Sequence, residues 1–359
     1  MSDSRDDTAT TLPDDAASGV RYDDGYDVVV IGAGAGGLSA ALVLGRARLR
    51  VAVVDGGEPR NAPAAHMQGF LSRDGMAPAA LLEVGRAEVA GYGVEFVDGH
   101  VDDVTDAYAG PDSGPDSGLD TRPGTRPDAG SRARFHVRLA GGAALAARHV
   151  VVATGLRDEL PGIPGLRERW GKDVLHCPYC HAYEVRDRPL GVLGSSPLSV
   201  RQALLVREWS DDVVYFPHTQ EPAADEREQL AALGVRVVEG EVKRLVTDGD
   251  RLRGVELAAG QVVPCDAVFT QTRTVPRDGF LSGLGCAHDE NGWLVTDAEG
   301  RTGVPGVWAV GNVADPRAQV IVAAGAGYAT GVALHHELVA ERVARAVTAR
   351  RARGAGTPA

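Results

Sequence analysis

Tyr26-Asp27-Val28-Val29-Val30-Ile31-Gly32-Ala33-Gly34-Ala35-Gly36-Gly37 is the stretch whose reading decides the fold. A short β-branched run that stops at glycines reads as a buried parallel strand. The run Leu38 to Leu44 then reads as a helix, and Arg50-Val51-Ala52-Val53-Val54 as a second strand ending at Asp55. Together these form a β-α-β unit. Gly32, Gly34 and Gly37 match the G-x-G-x-x-G spacing, and an acidic residue follows about 20 positions on. Each glycine has a separate duty. Gly32 permits the tight turn, Gly34 lets a pyrophosphate approach the backbone, and Gly37 lets helix pack on strand. Phosphate charge then meets the helix N-terminus, and Asp55 can accept bonds from an adenosine ribose. The competing reading, a purely structural glycine turn, lacks a reason for the strand, helix and acid to stand in this order.

Outward from that unit, Val150-Val151-Val152 leads as a strand into Ala153-Thr154-Gly155. A second β-α-β unit starts at Leu190-Gly191-Val192-Leu193-Gly194, with a helix expected from about Pro197 to Trp209 and a strand at Val213-Val214-Tyr215-Phe216. Its turn, Gly194-Ser195-Ser196-Pro197-Leu198-Ser199, keeps only the first glycine. Ser196 puts a Cβ where a phosphate should approach, and Pro197 removes an N–H. Pro217-His218-Thr219-Gln220 follows the next strand and holds no arginine for a 2′-phosphate. Two readings of this unit stay open: an eroded scaffold, or a working NADPH site. A third nucleotide-like stretch, Val307-Trp308-Ala309-Val310-Gly311-Asn312, precedes a small-residue helix from about Val320 to Val339.

The remaining segments read as poor in structure. Residues 1–24 form an acidic arm, residues 109–132 a Gly-Pro-Asp-Ser loop of low complexity, and residues 344–359 a flexible tail. The chain has 359 residues, 44% of them hydrophobic, enough for two domains with real cores. Its 37 basic and 49 acidic residues leave a net charge of −12, which argues against a nucleic-acid or anionic-membrane partner. No apolar run has the length of a membrane span and no signal peptide is legible, so a cytoplasmic location is expected.

Four cysteines in this length exclude a disulfide scaffold. Cys265 and Cys286 stand alone in apolar or small-residue settings and read as small buried hydrophobes. His176-Cys177-Pro178-Tyr179-Cys180-His181 is the chemical centre. Two thiols separated by two residues can close a strained bridge, and the spacing lowers the pKa of one of them. His181 can hold or pass the proton, while His176 reads either as a helper or as a surface imidazole. A redox pair competes with a glutaredoxin-type motif, c-type haem attachment, a zinc site and two inert thiols. The glutaredoxin reading wants a long helix after the motif, whereas Ala182 to Pro189 leads into a strand. Haem attachment wants export, and zinc wants four ligands that adjacent residues rarely aim at one ion. The redox pair fits best, and no metal site is assigned.

In this order, Gly32 to Gly37, Ala153-Thr154-Gly155, the C-x-x-C, the second nucleotide unit and Gly311-Asn312 resemble the low-molecular-weight thioredoxin reductase family of flavoproteins. The likeness runs from about Tyr26 to Val339 and is broken near residues 109–132. It implies an α/β chain of two Rossmann-like, three-layer ββα nucleotide-binding domains, the second inserted into the first. Residues 25–158 and 288–343 would bind FAD, and residues 159–287 would form the inserted NAD(P)-binding-like domain carrying the C-x-x-C. The flavin contacts implied are Gly32, Gly34, Gly37, Asp55, Asn61, Val101, Thr154, Gly155, Gly311, Asn312, Gln319 and Val320. By the same likeness Cys180 faces the flavin, Cys177 is the exposed nucleophile, and the protein is a homodimer.

Three features depart from the common family pattern: His181 after the second cysteine, Gly311-Asn312 in place of Gly-Asp, and the missing arginine pair. They resemble the branch that includes the gliotoxin and holomycin dithiol oxidases. The expectation is therefore an FAD-dependent oxidase that closes a disulfide in a small-molecule dithiol and passes the electrons to oxygen. An NADPH-dependent thioredoxin reductase, the same parts run backwards, is the alternative.

Overall fold

A computed structural model describes residues 25–107 and 133–355. The expected acidic arm at 1–24 and the loop at 109–132 lie outside the described residues.

Strand Tyr26–Ile31 sits at the centre of a seven-stranded sheet. On one side it pairs in parallel with Val51–Asp55, which pairs with Glu95–Asp98. On the other side it pairs in parallel with the long strand Ala144–Val152. That strand divides its outer edge between two partners. Its first half runs antiparallel to Phe135–Leu139, and Val150–Val152 run parallel to Val307–Ala309. The divided edge is what brings the end of the chain back beside its beginning. Alternation along the first strand sends Val29 and Ile31 to one core and Val28 and Val30 to the other, so both faces are covered.

The long helix Val320–Ala355 closes one face by crossing the helix Ala35–Arg46. A Cβ at Gly327 would stand 2.0 Å from the Gly36 carbonyl, so the two backbones meet where neither carries a side chain.

The second unit is a five-stranded parallel sheet in the order 236–237, 213–216, 190–193, 267–270, 174–175. An antiparallel meander, Val242–Asp248, Arg251–Leu257 and Val262–Pro264, packs on one of its faces. The fold is therefore two Rossmann-like α/β units, the second inserted between strands of the first. The chain crosses between them twice, along the antiparallel pair Leu156–Glu159 and Arg273–Pro276.

Three expected boundaries move. The return to the first unit comes earlier than residue 288: Leu281 and Cys286 already belong to the first core, with Phe280 and Leu284 packed on it. The tail expected to be flexible from 344 continues as helix to Ala355, because Ala and Arg are strong helix formers and no Gly or Pro interrupts them before Gly354. The helix expected from Pro197 to Trp209 is shorter, Ser199–Val206. Among the described residues no helix is long and apolar enough to cross a membrane.

Candidate active site

A cavity of about 940 Å³ lies between the two units, lined by the glycine turn of the first and the cysteine pair of the second. The glycine turn has a shape that would fit a phosphate. Gly32 takes a positive φ of 105°, and a Cβ on Gly37 would stand 2.0 Å from the Gly32 carbonyl. Gly37 therefore serves helix–strand packing and does not line the cavity. A Cβ on Gly34, by contrast, would meet no protein atom within 4 Å. The helix Ala35–Arg46 begins with no side-chain cap, so its first N–H groups are left to a ligand. Asp55 Oδ1 accepts from the Ala33 N–H at 3.0 Å and Oδ2 pairs with Arg86, which ties the turn to the end of the second strand. An open cradle in front of an uncapped helix, with an acid at the next strand end, fits an adenine dinucleotide.

Asn61, Val101, Thr154, Gly155, Gly311, Asn312, Gln319 and Val320 line the same cavity. Several do structural work as well. The Thr154 hydroxyl donates to the Arg277 carbonyl at 2.5 Å, pinning the crossing between units. Asn312 Nδ2 donates to the carbonyls of Asp315 (2.9 Å) and Ala318 (3.0 Å), so that amide nitrogen holds the turn ahead of the long helix.

At the other end, Cys177 and Cys180 bring their sulfurs to 2.6 Å, across the short helix Pro178–His181. The pair is electrically asymmetric. The Cys180 S–H donating to it lowers the Cys177 thiol to about 7, against the opposing effect of burial. Sharing its proton with Cys177, together with burial, drives Cys180 upward. Burial does not separate the two, since each is half-buried. Cys265 is different: burial pushes it up to about 12, as suits an inert core thiol.

Burial also pushes His176 down, helped by the Arg60 charge, and burial pushes His181 down. Both imidazoles are neutral at pH 7 and free to take a proton. His176 Nδ1 lies 3.3 Å from the Thr270 carbonyl, and its own carbonyl accepts from Gln202 Nε2 at 2.6 Å. Zinc finds no cluster here: no three of His176, Cys177, Cys180 and His181 bring ligand atoms within 4.8 Å of one another. Among the described residues only His149, Glu337 and Glu341 do, and both carboxylates are already paired with Arg301 and Arg148.

Two contacts here carried no signal in the sequence. Arg60 forms a two-point ion pair with Asp158 (2.8 and 2.9 Å), which also accepts from the Thr272 hydroxyl at 2.6 Å. Gln319 reaches across from the first unit to both sulfurs.

The second glycine turn has the opposite character. Ser199 Oγ accepts from the N–H groups of Ser195 (3.2 Å) and Ser196 (3.1 Å), and Pro197 has none to offer. Thr219 Oγ1 folds back onto the Gly194 carbonyl at 3.1 Å. His218 Nδ1 is taken by the Val242 N–H at 3.1 Å.

A dinucleotide cradle opening onto a vicinal cysteine pair defines a flavin-type disulfide oxidoreductase. Over residues 26–327 the chain matches the pyridine nucleotide-disulphide oxidoreductase family and belongs to it. It is similar to HlmI in its crystal structure, with 60% identity, 94% of this chain and 100% of that chain covered, and a TM-score of 0.85. It is also similar to an oxidoreductase from Agrobacterium tumefaciens, with 35% identity, 88% and 99% coverage and a TM-score of 0.77. In sequence it is 28% identical over 336 residues to thioredoxin reductase sirT of Leptosphaeria maculans, covering 89% of this chain and 97% of that protein. The chain is thus a thioredoxin reductase-like oxidoreductase that acts on sulfur groups, and its cofactor is FAD.

Proposed function

We propose that this chain is a dithiol oxidase, closing a disulfide in a small-molecule dithiol through Cys177 and Cys180 with oxygen as final acceptor. The observation that carries the reading is the contrast between the two glycine turns. The one beside Asp55 leaves its helix start uncapped and faces the cavity. The one at Gly194 spends its N–H groups on Ser199, which disfavours a pyrophosphate there and with it NADPH as the electron source. The similarity to HlmI and sirT is consistent with the gliotoxin- and holomycin-like branch that the sequence resembles.

A substrate thiolate attacks the bridge at Cys177, forming a mixed disulfide and releasing Cys180. The second substrate thiol then displaces Cys177, and the substrate leaves as its disulfide. Two electrons stay on the enzyme pair. Of the two protons released, one stays on Cys180 and the other passes to His181, with His176 behind it. A leaving thiol of low pKa departs faster, which suits Cys177 to the second displacement. FAD held by the first turn supplies a two-electron acceptor that oxygen can reoxidise. In this reading Gly32, Gly34 and Asp55 hold the dinucleotide, with Gly37 packing the turn. Asn61, Val101, Thr154, Gly155, Gly311, Asn312, Gln319 and Val320 surround the flavin end. The enzyme is read as a cytoplasmic homodimer with no nucleic-acid or membrane partner.

The test is anaerobic stopped-flow on the purified yellow protein. Dithiothreitol should bleach the flavin rapidly and NADPH should not. Fast, saturable bleaching by NADPH would instead establish the thioredoxin reductase alternative, a name several relatives carry. Cys177→Ser and Cys180→Ser should each abolish dithiol turnover with FAD still bound, and turnover surviving both changes rejects the site.

A further inference from the structure

Gln319 stands immediately before the long helix, its carbonyl accepting the Ala323 N–H at 2.8 Å. Its position is fixed from behind by Asn312, whose amide holds the neighbouring Ala318 carbonyl. From there the side chain crosses to the inserted unit. Its Oε1 lies 3.1 Å from Cys180 Sγ, and its Nε2 lies 3.7 Å from Cys177 Sγ. An exposed glutamine ordinarily wanders in solvent; this one spans both reacting atoms.

The fit is chemical as well as spatial. A reduced vicinal pair that keeps one proton presents one S–H donor and one thiolate acceptor. A carboxamide presents one acceptor and one donor side by side, and it carries no charge of its own. Glutamate in its place could accept from Cys180 but could not donate to Cys177. Leucine could do neither.

We propose that Gln319 is a catalytic residue that reinforces the polarity of the reduced pair, bracing the thiolate on Cys177 beside the Cys180 S–H. The proposal rests on the dithiol–disulfide role given above to these two cysteines. When the bridge accepts two electrons from a substrate dithiol, the S–S bond breaks and one substrate proton remains on the pair. Gln319 Oε1 accepts from that S–H at Cys180 while Nε2 donates to the charge at Cys177. The second proton leaves by way of His181.

The test reads thiol chemistry, not turnover. The holoenzyme is reduced with a phosphine under argon and freed of reductant. It is then treated with limiting iodoacetamide across a pH series, and the labelled cysteine is identified by mass spectrometry. In the wild type, Cys177 should be labelled first, with a midpoint near 7. Gln319→Glu should shift that midpoint upward and slow labelling at neutral pH by about tenfold. Gln319→Leu should narrow the preference for Cys177 over Cys180 without erasing it, since the contact between the two sulfurs remains. Retained flavin absorbance in both variants establishes that they are folded and loaded. Labelling of Cys180 first in the wild type overturns the proposal, as does a wild-type midpoint and preference in both variants. Because the phosphine breaks the bridge chemically, this outcome is separate from failure of the oxidase reading, which appears as a pair that dithiothreitol does not reduce.

Discussion

Gly37 and Gly34 share one turn and are glycine for opposite reasons. At Gly37 the obstacle is protein, since a Cβ would collide with the Gly32 carbonyl. At Gly34 there is no protein obstacle, only the open cradle. Gly37→Ala should therefore destabilise the fold by about 3 kcal/mol, because backbone cannot yield as a flexible side chain does. Gly34→Ala should leave the melting temperature of the flavin-free protein unchanged while weakening FAD binding. Thermal melts of the stripped proteins with FAD titrations check both, and equal melting losses would contradict the distinction. The sulfur pair carries the pH dependence. Cys177 is lowered to about 7, so its thiolate, and with it reclosure of the bridge, should increase as pH rises through 7 and level off above. Burial keeps His176 and His181 neutral at that pH, so neither should add an acid limb near its ordinary value. The rate of bridge reclosure after a reducing pulse, followed against pH, reads this directly. His181→Gln should slow turnover by roughly a hundredfold and not abolish it, as expected for loss of a proton carrier.

The crossing strands Leu156–Glu159 and Arg273–Pro276 are the only paired strands joining the two units among the described residues, and Asp158 is their anchor. Burial pushes its carboxyl up, but Arg60 and the Thr272 hydroxyl outweigh this and hold it below the usual carboxylate value. A lowered folded pKa contributes stability above the unfolded value, near 4, and that contribution fades as pH falls below it. Asp158→Asn should cost roughly 2 kcal/mol at neutral pH by leaving Arg60 without its counter-charge. Its difference from the wild type should shrink in acid, and a pH series of melts decides. The long helix was only half legible. Its arginine-rich end reads as a solvated tail, since Arg345, Arg350, Arg351 and Arg353 crowd it among small residues. Local helix propensity, continuing a helix already nucleated against Ala35–Arg46, carries it to Ala355. Because that extension is largely exposed, deleting residues 344–359 should change stability by less than about 0.5 kcal/mol in thermal unfolding.

At the scale of the whole molecule, the cavity is walled by both units, so a cofactor bound there stabilises only the assembled state. Removing FAD should lower the melting temperature by about 5 °C or more, and adding FAD back should restore it, by mass action on the folded form. NADPH should not substitute if the Gly194 turn is closed. Melts of stripped protein with each nucleotide test this, and rescue by NADPH would reopen the second site. The dinucleotide turn, the cysteine pair and the βαβ order could be read from the chain because each is written in contiguous residues, where spacing alone dictates which atoms meet. The Arg60–Asp158–Thr272 anchor, the Gln319 bridge to the two sulfurs, and the early return of Leu281 and Cys286 to the first core could not. Their partners are far apart along the chain, and only the packing of two units around one cavity brings them within bonding distance.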